Sequence, residues 1–236
     1  MAEPKVLIGC PVSDRYRYCI DRYLRAVNNL DYKNFDLLLV DNSADDVFFN
    51  ELRARGVSIE RIGYAETARE RIVRSRNILR ERALAGNYDY FLSLEIDLFI
   101  PKDTLKRLLS HHKPIVTAYY GNNVLVNLES KKTGRTEERA INVPLIYLAA
   151  ESGKVKRANP KDVLNKGLIE IGAMGLGCAL IAKEALETIT FHYDPNKKAC
   201  DDMYFCTDAK KAGYKLYLDS SIIVPHEHQD WEGIKR

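Results

Sequence analysis

The chain has 236 residues, 46% of them hydrophobic, enough to fill the core of one large α/β domain or two small ones. With 36 basic and 33 acidic residues the net charge is only +3, which excludes the broad basic field of a non-specific nucleic-acid binder and means that an anionic ligand must be held locally. Five scattered cysteines, odd in number and without paired CxxC spacing, predict free thiols and a reducing compartment.

Near the start, Lys5-Val6-Leu7-Ile8-Gly9 opens an apolar run that reads as a strand over 5–10. It is not preceded by the charged start, long apolar stretch and small-residue cleavage site of a signal peptide. A helical pattern over about 17–29 leads to a second strand over 35–40, and strand, helix, strand is the order of a parallel sheet with crossover helices. The second strand runs into Asp41-Asn42-Ser43-Ala44-Asp45-Asp46, polar residues at the C-terminal end of a parallel strand, where open α/β sheets place ligands. A helix over 47–55 and a short strand over 58–62 follow. The next helix, over about 67–85, carries an apolar stripe of Ala68, Ile72, Leu79 and Ala83, with Gly86 as its C-cap. Arg76 falls on the same face, four residues after Ile72, and there it needs an anionic partner or a wet cleft.

Tyr88 to Asp97 reads as a strand that begins apolar and ends in carboxylates. Glu95 and Asp97, two apart, share one face while Ile96 points into the opposite layer. Two carboxylates so placed could hold a hard divalent cation and leave positions for phosphate oxygens. A solvated strand end is the plainer alternative, but the apolar stem Phe91-Leu92 with Leu94 buries this strand. A helix over 102–111 and a strand over 114–119 come next. From 121 to 166 the chain reads as polar and irregular, with a basic loop from Lys131 to Arg135 and a strand-like piece over 142–149: an excursion or lid, not a separate domain. Order returns with a strand over 168–171, the glycines Gly172, Gly175 and Gly177, an apolar run over 178–182 and a short helix through Glu187. A helix starting at Asp201 or Asp202 and stopping at Gly213, then a strand over 214–219, complete the order. The glycines lack dinucleotide-fingerprint spacing and read as a tight backbone passage beside Met174 and Leu176.

Four ordered segments, Val40-Asp41-Asn42-Ser43-Ala44-Asp45, Ser75-Arg76-Asn77, Leu94-Glu95-Ile96-Asp97 and Asp201-Asp202-Met203-Tyr204-Phe205-Cys206, resemble the marker segments of family 2-like GT-A glycosyltransferases. The likeness covers most of the chain except the middle excursion. It implies the α/β GT-A (nucleotide-diphospho-sugar transferase) fold, a mostly parallel central sheet flanked by helices. One domain would span 1–236, with a nucleotide-sugar-binding half over about 1–118 and an acceptor and catalytic half over about 119–236. The activity it implies is metal-dependent transfer of a sugar from a nucleotide diphospho-sugar to an acceptor hydroxyl on a glycan, lipid or protein, with Mn2+ or Mg2+ as cofactor.

The resemblance also implies roles. Asp41 would contact the base or ribose, with Pro11 and Ser13 lining the same pocket, and Arg76 would lie near the diphosphate. Glu95 and Asp97 stand where the family has its DxD motif. Asp97 is then the expected metal ligand, while Glu95, in place of the first aspartate, is more secure as a contact to ribose or sugar. Asp202 matches the second acid of the family's Glu-Asp pair, the catalytic base of inverting members, and Asp201 replaces the glutamate. Either acid could take the acceptor proton, and the helix start predicts that one caps while Asp202 faces the cleft. His226, in Pro225-His226-Glu227-His228, stands where several GT-A enzymes place a third metal ligand, and Trp231 could stack on a sugar ring. Retaining chemistry stays open.

Two rivals differ in what they require. A sugar nucleotidyltransferase needs a glycine-rich basic loop straight after the first strand, and Cys10-Pro11-Val12-Ser13-Asp14 is not one. A catalytically silent GT-A-like module that binds sugars or a partner would turn Asp97 or Asp202 away from the cleft. No apolar run approaches the roughly 20 residues that span a bilayer, so a cytoplasmic location is the expectation, with peripheral membrane contact through the acceptor left open.

Overall fold

A computed structural model describes residues 3–129 and 136–227; the basic loop from Lys131 to Arg135, His228 and Trp231 lie outside them. The first half contains β1 (Val6–Val12), α1 (Ile20–Asn28), β2 (Phe35–Asp41), α2 (Val47–Ala54), β3 (Ile59–Arg61), α3 (Ala68–Ala85), β4 (Tyr90–Leu94), α4 (Thr104–Ser110) and β5 (Ile115–Tyr119). The middle contains β6 (Gly121–Glu129), β7 (Thr136–Pro144), β8 (Ile146–Ala149), β9 (Val155–Arg157) and the short α5 (Pro160–Val163). Then come β10 (Leu168–Ile171), β11 (Ala173–Met174), β12 (Cys178–Ala182), α6 (Lys183–Thr188), α7 (Asp201–Lys211) and β13 (Leu216–Ile223).

Eight strands form the central sheet in the order β10-β13-β5-β12-β4-β1-β2-β3. It is mainly parallel: β12 runs against β4 and β5, and β10 against β13, while the remaining pairs are parallel. Alternate residues of β1 feed different cores, as a strand covered on both faces requires. Val6, Ile8 and Cys10 join Tyr23, Phe48 and Leu105 from α1, α2 and α4. Leu7 joins Leu79, Ala185 and Phe205 from α3, α6 and α7. Helices thus cover both faces. Gly9 lets α3 lie close on β1, since a Cβ there would sit 2.5 Å from the Phe91 ring and 2.8 Å from Leu79.

Helix α3 begins where the Thr67 side chain accepts the Glu70 N–H at 3.3 Å. Its C-cap is Gly86, but the left-handed residue is Asn87 (φ 56°). Glycine is needed at 86 for room instead: a Cβ would run into the Tyr88 ring and lie 3.0 Å from the Arg82 carbonyl oxygen. The core face of α3 also differs from the predicted stripe. Val73, Leu79 and Ala83 are buried, whereas Ala68 and Ile72 line a cleft.

Two further expectations are corrected. The first helix, predicted over about 17–29, starts late: i to i+3 bonds form a 3-10 turn over Asp14–Tyr16 just before it, and the α-helix begins only at Ile20. The stretch read as irregular is the antiparallel β6–β7 hairpin followed by a small sheet ordered β11-β8-β9. In the hairpin the cross-strand pair Val124 and Ile141 is exposed. The five cysteines are free thiols. Among the described residues no helix is long and apolar enough to cross a membrane.

Candidate functional site

A cleft of about 640 Å³, counting its open mouth, lies at the C-terminal ends of β1, β2 and β4, where open α/β sheets bind ligands. After β1 its wall is Pro11, Ser13, Arg15 and Tyr16; after β2 it is Asn42; from α3 come Arg71 and Arg76; after β4 come Glu95, Ile96 and Asp97. Pro11, Ser13, Arg76, Glu95 and Asp97 are all residues that the sequence singles out, and the fold brings them to one place.

Asp41 is not on the cleft wall. It is fully buried; its Oδ1 accepts the Ser43 hydroxyl at 2.5 Å and the Ser43 N–H at 3.2 Å. Its Oδ2 has no hydrogen-bond partner and lies 3.6 Å from the Arg61 Nε. Burial raises the Asp41 carboxyl above its ordinary pKa against the Ser43 bonds and Arg61. The local Asp-Asn-Ser turn folds the acid inward and presents Asn42 instead.

The two acids after β4 reach the cleft by a route other than strand alternation. Strand pairing stops at Leu94 opposite Cys178. The chain then turns, with the Leu98 N–H donating to the Glu95 carbonyl at 3.1 Å and the Glu227 N–H to the Asp97 carbonyl at 2.9 Å. Ile96 is buried at 2% exposure, while Glu95 and Asp97 both line the cleft. Burial raises the Glu95 carboxyl, Arg76 opposes the rise and Asp97 adds to it.

Arg76 is buried between two carboxylates. Its Nη1 donates to Asp201 Oδ2 and its Nη2 to Glu95 Oε1 at 3.0 Å. Asp201, on the first turn of α7, is buried by this pairing. The N-cap of α7 is Cys200, without a side-chain cap, so the expectation that one acid caps is corrected: the buried guanidinium claims Asp201. Asp202 accepts the neighbouring Met203 N–H at 2.7 Å; expected to face the cleft, it is not among the residues of the cleft wall. Burial and then Asp201 push the Asp202 carboxyl above its ordinary pKa. Its charge also acts on Glu95, Arg76 and Tyr120, which ties it to the same cluster.

His226 Nε2 lies 3.1 Å from Asp97 Oδ2, and its Nδ1 lies 3.3 Å from the Gly121 carbonyl. An N–H at Nδ1 donates to that carbonyl, so a neutral ring turns the Nε2 lone pair toward a carboxylate. That pairing is favourable only with a proton or a cation between the two atoms. Burial disfavours the charged ring, but the Asp97 bond outweighs it and raises the His226 pKa. At 3.1 Å the two groups are hydrogen-bonded to each other, and one carboxylate oxygen and one imidazole nitrogen are donors of the kind that also take a divalent cation. Among the described residues no group of three or more His, Cys, Asp or Glu side chains converges as a closed metal site. A cation here would complete its shell with water or ligand oxygens.

The glycine cluster has a steric explanation. A Cβ on Gly175 would run into the Tyr120 hydroxyl, and one on Gly177 would lie 2.7 Å from it and 2.8 Å from Glu95 Oε2. The Gly177 N–H donates to that hydroxyl at 2.7 Å, and the Gly177 carbonyl accepts the Glu95 N–H at 2.8 Å. Tyr120 and Gly177 therefore seat the turn that carries Glu95. Sequence reasoning missed Tyr120, Arg15, Tyr16, Asn42 and Arg71. For the α3 residues a signal existed, because Ala68, Ile72 and Arg76 at spacing four mark the face that turns out to line the cleft.

No family model matches the chain, and no curated protein sequence matches it. Solved structures do. S. aureus TarS 1-349 aligns with a TM-score of 0.56 and 15% identity, over 93% of this chain and 59% of its own. The same protein in complex with UDP-GlcNAc aligns with a TM-score of 0.59 and 15% identity, over 98% and 62%. A197 from STIV covers 95% of this chain and 86% of its own at 16% identity, with a TM-score of 0.48. This chain thus spans roughly six tenths of the TarS chain. The likeness is one of architecture: the chain has a GT-A-like fold, with a large, mainly parallel sheet flanked by helices.

Proposed function

We propose that this protein transfers a sugar from a nucleoside diphospho-sugar to an acceptor hydroxyl. One observation carries the reading: residues from distant segments, Ser13, Arg76 and Glu95 with Asp97, line one cleft at the ligand-binding edge of a GT-A-like sheet, and Arg76 ties Asp201, the neighbour of Asp202, to it. TarS, which shares that fold, has been solved with UDP-GlcNAc.

The donor's base and ribose lie against Pro11, Ser13 and Asn42, and Glu95 faces the ribose or the sugar. The phosphates lie toward the basic wall formed by Arg15 and Arg71. Asp97 and His226 would hold a divalent cation, Mn2+ or Mg2+, whose chemistry is to neutralise charge on the departing diphosphate. Asp202 takes the proton of the acceptor hydroxyl as that oxygen forms its bond to the anomeric carbon. The bond from that carbon to the phosphate oxygen breaks, and its electron pair leaves with the nucleoside diphosphate. Attack opposite the leaving group inverts the anomeric centre. A raised Asp202 pKa suits the task, since burial makes the ionised carboxylate a stronger base.

Thermal unfolding with UDP-, GDP- and dTDP-sugars, each with and without Mn2+, tests the reading. A ligand at one hundred times its Kd stabilises by about 2.7 kcal/mol, which raises Tm by about 5–10 °C in a chain of this size. A metal-dependent shift with one nucleotide class supports the proposal. No shift with any of them, at concentrations well above ordinary donor affinities, overturns it.

A further inference from the structure

Resting on the donor-cleft reading above, we infer that Arg76 is a positioning residue: its guanidinium fixes Glu95 and Asp201 and does not carry the donor's diphosphate. Both terminal nitrogens already bind carboxylates inside the protein, one on the turn after β4 and one on α7. The side chain is 4% exposed, beside Asp201 at 7% and Glu95 at 38%. The remaining N–H, at Nε, is shut off from solvent and has no partner.

Charge makes the same point. One guanidinium against two carboxylates leaves this triad with net negative charge, and the charge of Asp202 also acts on Arg76. An anionic diphosphate gains little there. Arg71, five residues before Arg76 on α3 and also on the cleft wall, donates through Nη1 to the carbonyls of Ala65 and Glu66 at 2.5 and 3.0 Å. Those acceptors carry no net charge, so Arg71 keeps its attraction for phosphate.

The consequence reaches the base. Asp201 and Asp202 are neighbours on the first turn of α7, so the clamp on Asp201 sets the direction in which Asp202 leaves the helix. Arg76 joins segments 125 and 19 residues away in sequence, and it acts through Asp202 and Glu95.

The test compares wild type with Arg76→Met, Arg76→Lys and Asp201→Asn. Asp201→Asn keeps a hydrogen bond to Arg76 if removing the guanidinium outright prevents folding. Calorimetry with UDP and Mn2+ gives nucleotide affinity, and UDP release from UDP-GlcNAc gives turnover. Hydrogen exchange over residues 200–205 reports the first turn of α7 without any donor. For Arg76→Met the clamp predicts a UDP Kd within about threefold of wild type, a kcat at saturating donor at least a hundredfold lower, and faster exchange over 200–205. Lysine at 76 should restore part of both, and Asp201→Asn should repeat the pattern. A tenfold or larger rise in UDP Kd with kcat at saturation unchanged, or exchange equal to wild type in all three variants, overturns the inference. If wild type binds none of UDP, GDP and dTDP with Mn2+, the transferase reading falls, and the exchange experiment still decides the clamp.

Discussion

Replacing Gly177 by alanine places a methyl group 2.7 Å from the Tyr120 Cζ and hydroxyl oxygen and 2.8 Å from Glu95 Oε2. None of these neighbours can yield freely. The Tyr120 ring is 1% exposed, and its hydroxyl accepts the Gly177 N–H at 2.7 Å. Moving it would strand a buried N–H at a cost of about 1–3 kcal/mol, and overpacking in place costs a similar 1–3 kcal/mol. In a chain of this size each kcal/mol shifts Tm by about 2–4 °C, so the expected fall is about 2–12 °C. Differential scanning calorimetry measures it, with Gly63→Ala as the control. There the added carbon meets only the Arg74 guanidinium at 3.8 Å, and the change should stay within about 0.5 kcal/mol of neutral. Turnover by Gly177→Ala should fall as well, because Glu95 is displaced together with the backbone that seats it. A Gly177→Ala protein that melts and turns over like wild type would refute this steric account.

Asp202→Asn should keep donor affinity within a few-fold and lose about 10²–10⁴ in kcat, read from release of the nucleoside diphosphate. If Asp202 is the base it works ionised, and because burial raises its pKa wild-type activity should fall as pH drops through a value above that of an ordinary aspartate; a rate that does not fall with acid speaks against Asp202. Asp97→Ala should abolish Mn2+-dependent nucleotide-sugar binding in calorimetry, and undiminished affinity would sink the metal assignment. Asp219 is buried on β13; burial opposes its charge, but bonds from Ser221 and His111 and the nearby Arg107 outweigh it and lower its pKa. Its contribution to stability is present above the ordinary carboxylate pKa and lost as pH falls through the lowered folded value. Urea unfolding below about pH 4 should therefore show a shallower acid loss for Asp219→Asn than for wild type, and parallel curves would refute the linkage.

Elements with a clear local period are legible in the amino-acid order. The apolar run of β1, the Thr67 cap of α3, and the aspartates that open α7 each lie within a residue or two of where local pattern puts them. The polar end of β2 is legible as a ligand edge, but not which residue faces the ligand, since an Asp-Asn-Ser turn decides between Asp41 and Asn42. The hairpin from Gly121 is hidden although Val124, Val126 and Leu128 alternate, because Asn122, Asn123 and Asn127 around them read as loop.

By itself, then, the amino-acid order determined the alternation of strands and helices, the parallel character of the sheet's first half, and the residue types able to handle phosphate, metal and proton. Those properties are local: apolar period, caps and turn chemistry act over a few residues. Tertiary structure alone decided who meets whom. Arg76 meets Asp201 rather than solvent, His226 meets Asp97, and Tyr120 braces Gly177 and through it Glu95. These contacts exist because β12 inserts between β4 and β5 and brings residues far apart in sequence to one sheet edge. Strand order of that kind depends on packing across the whole chain, and no local pattern encodes it.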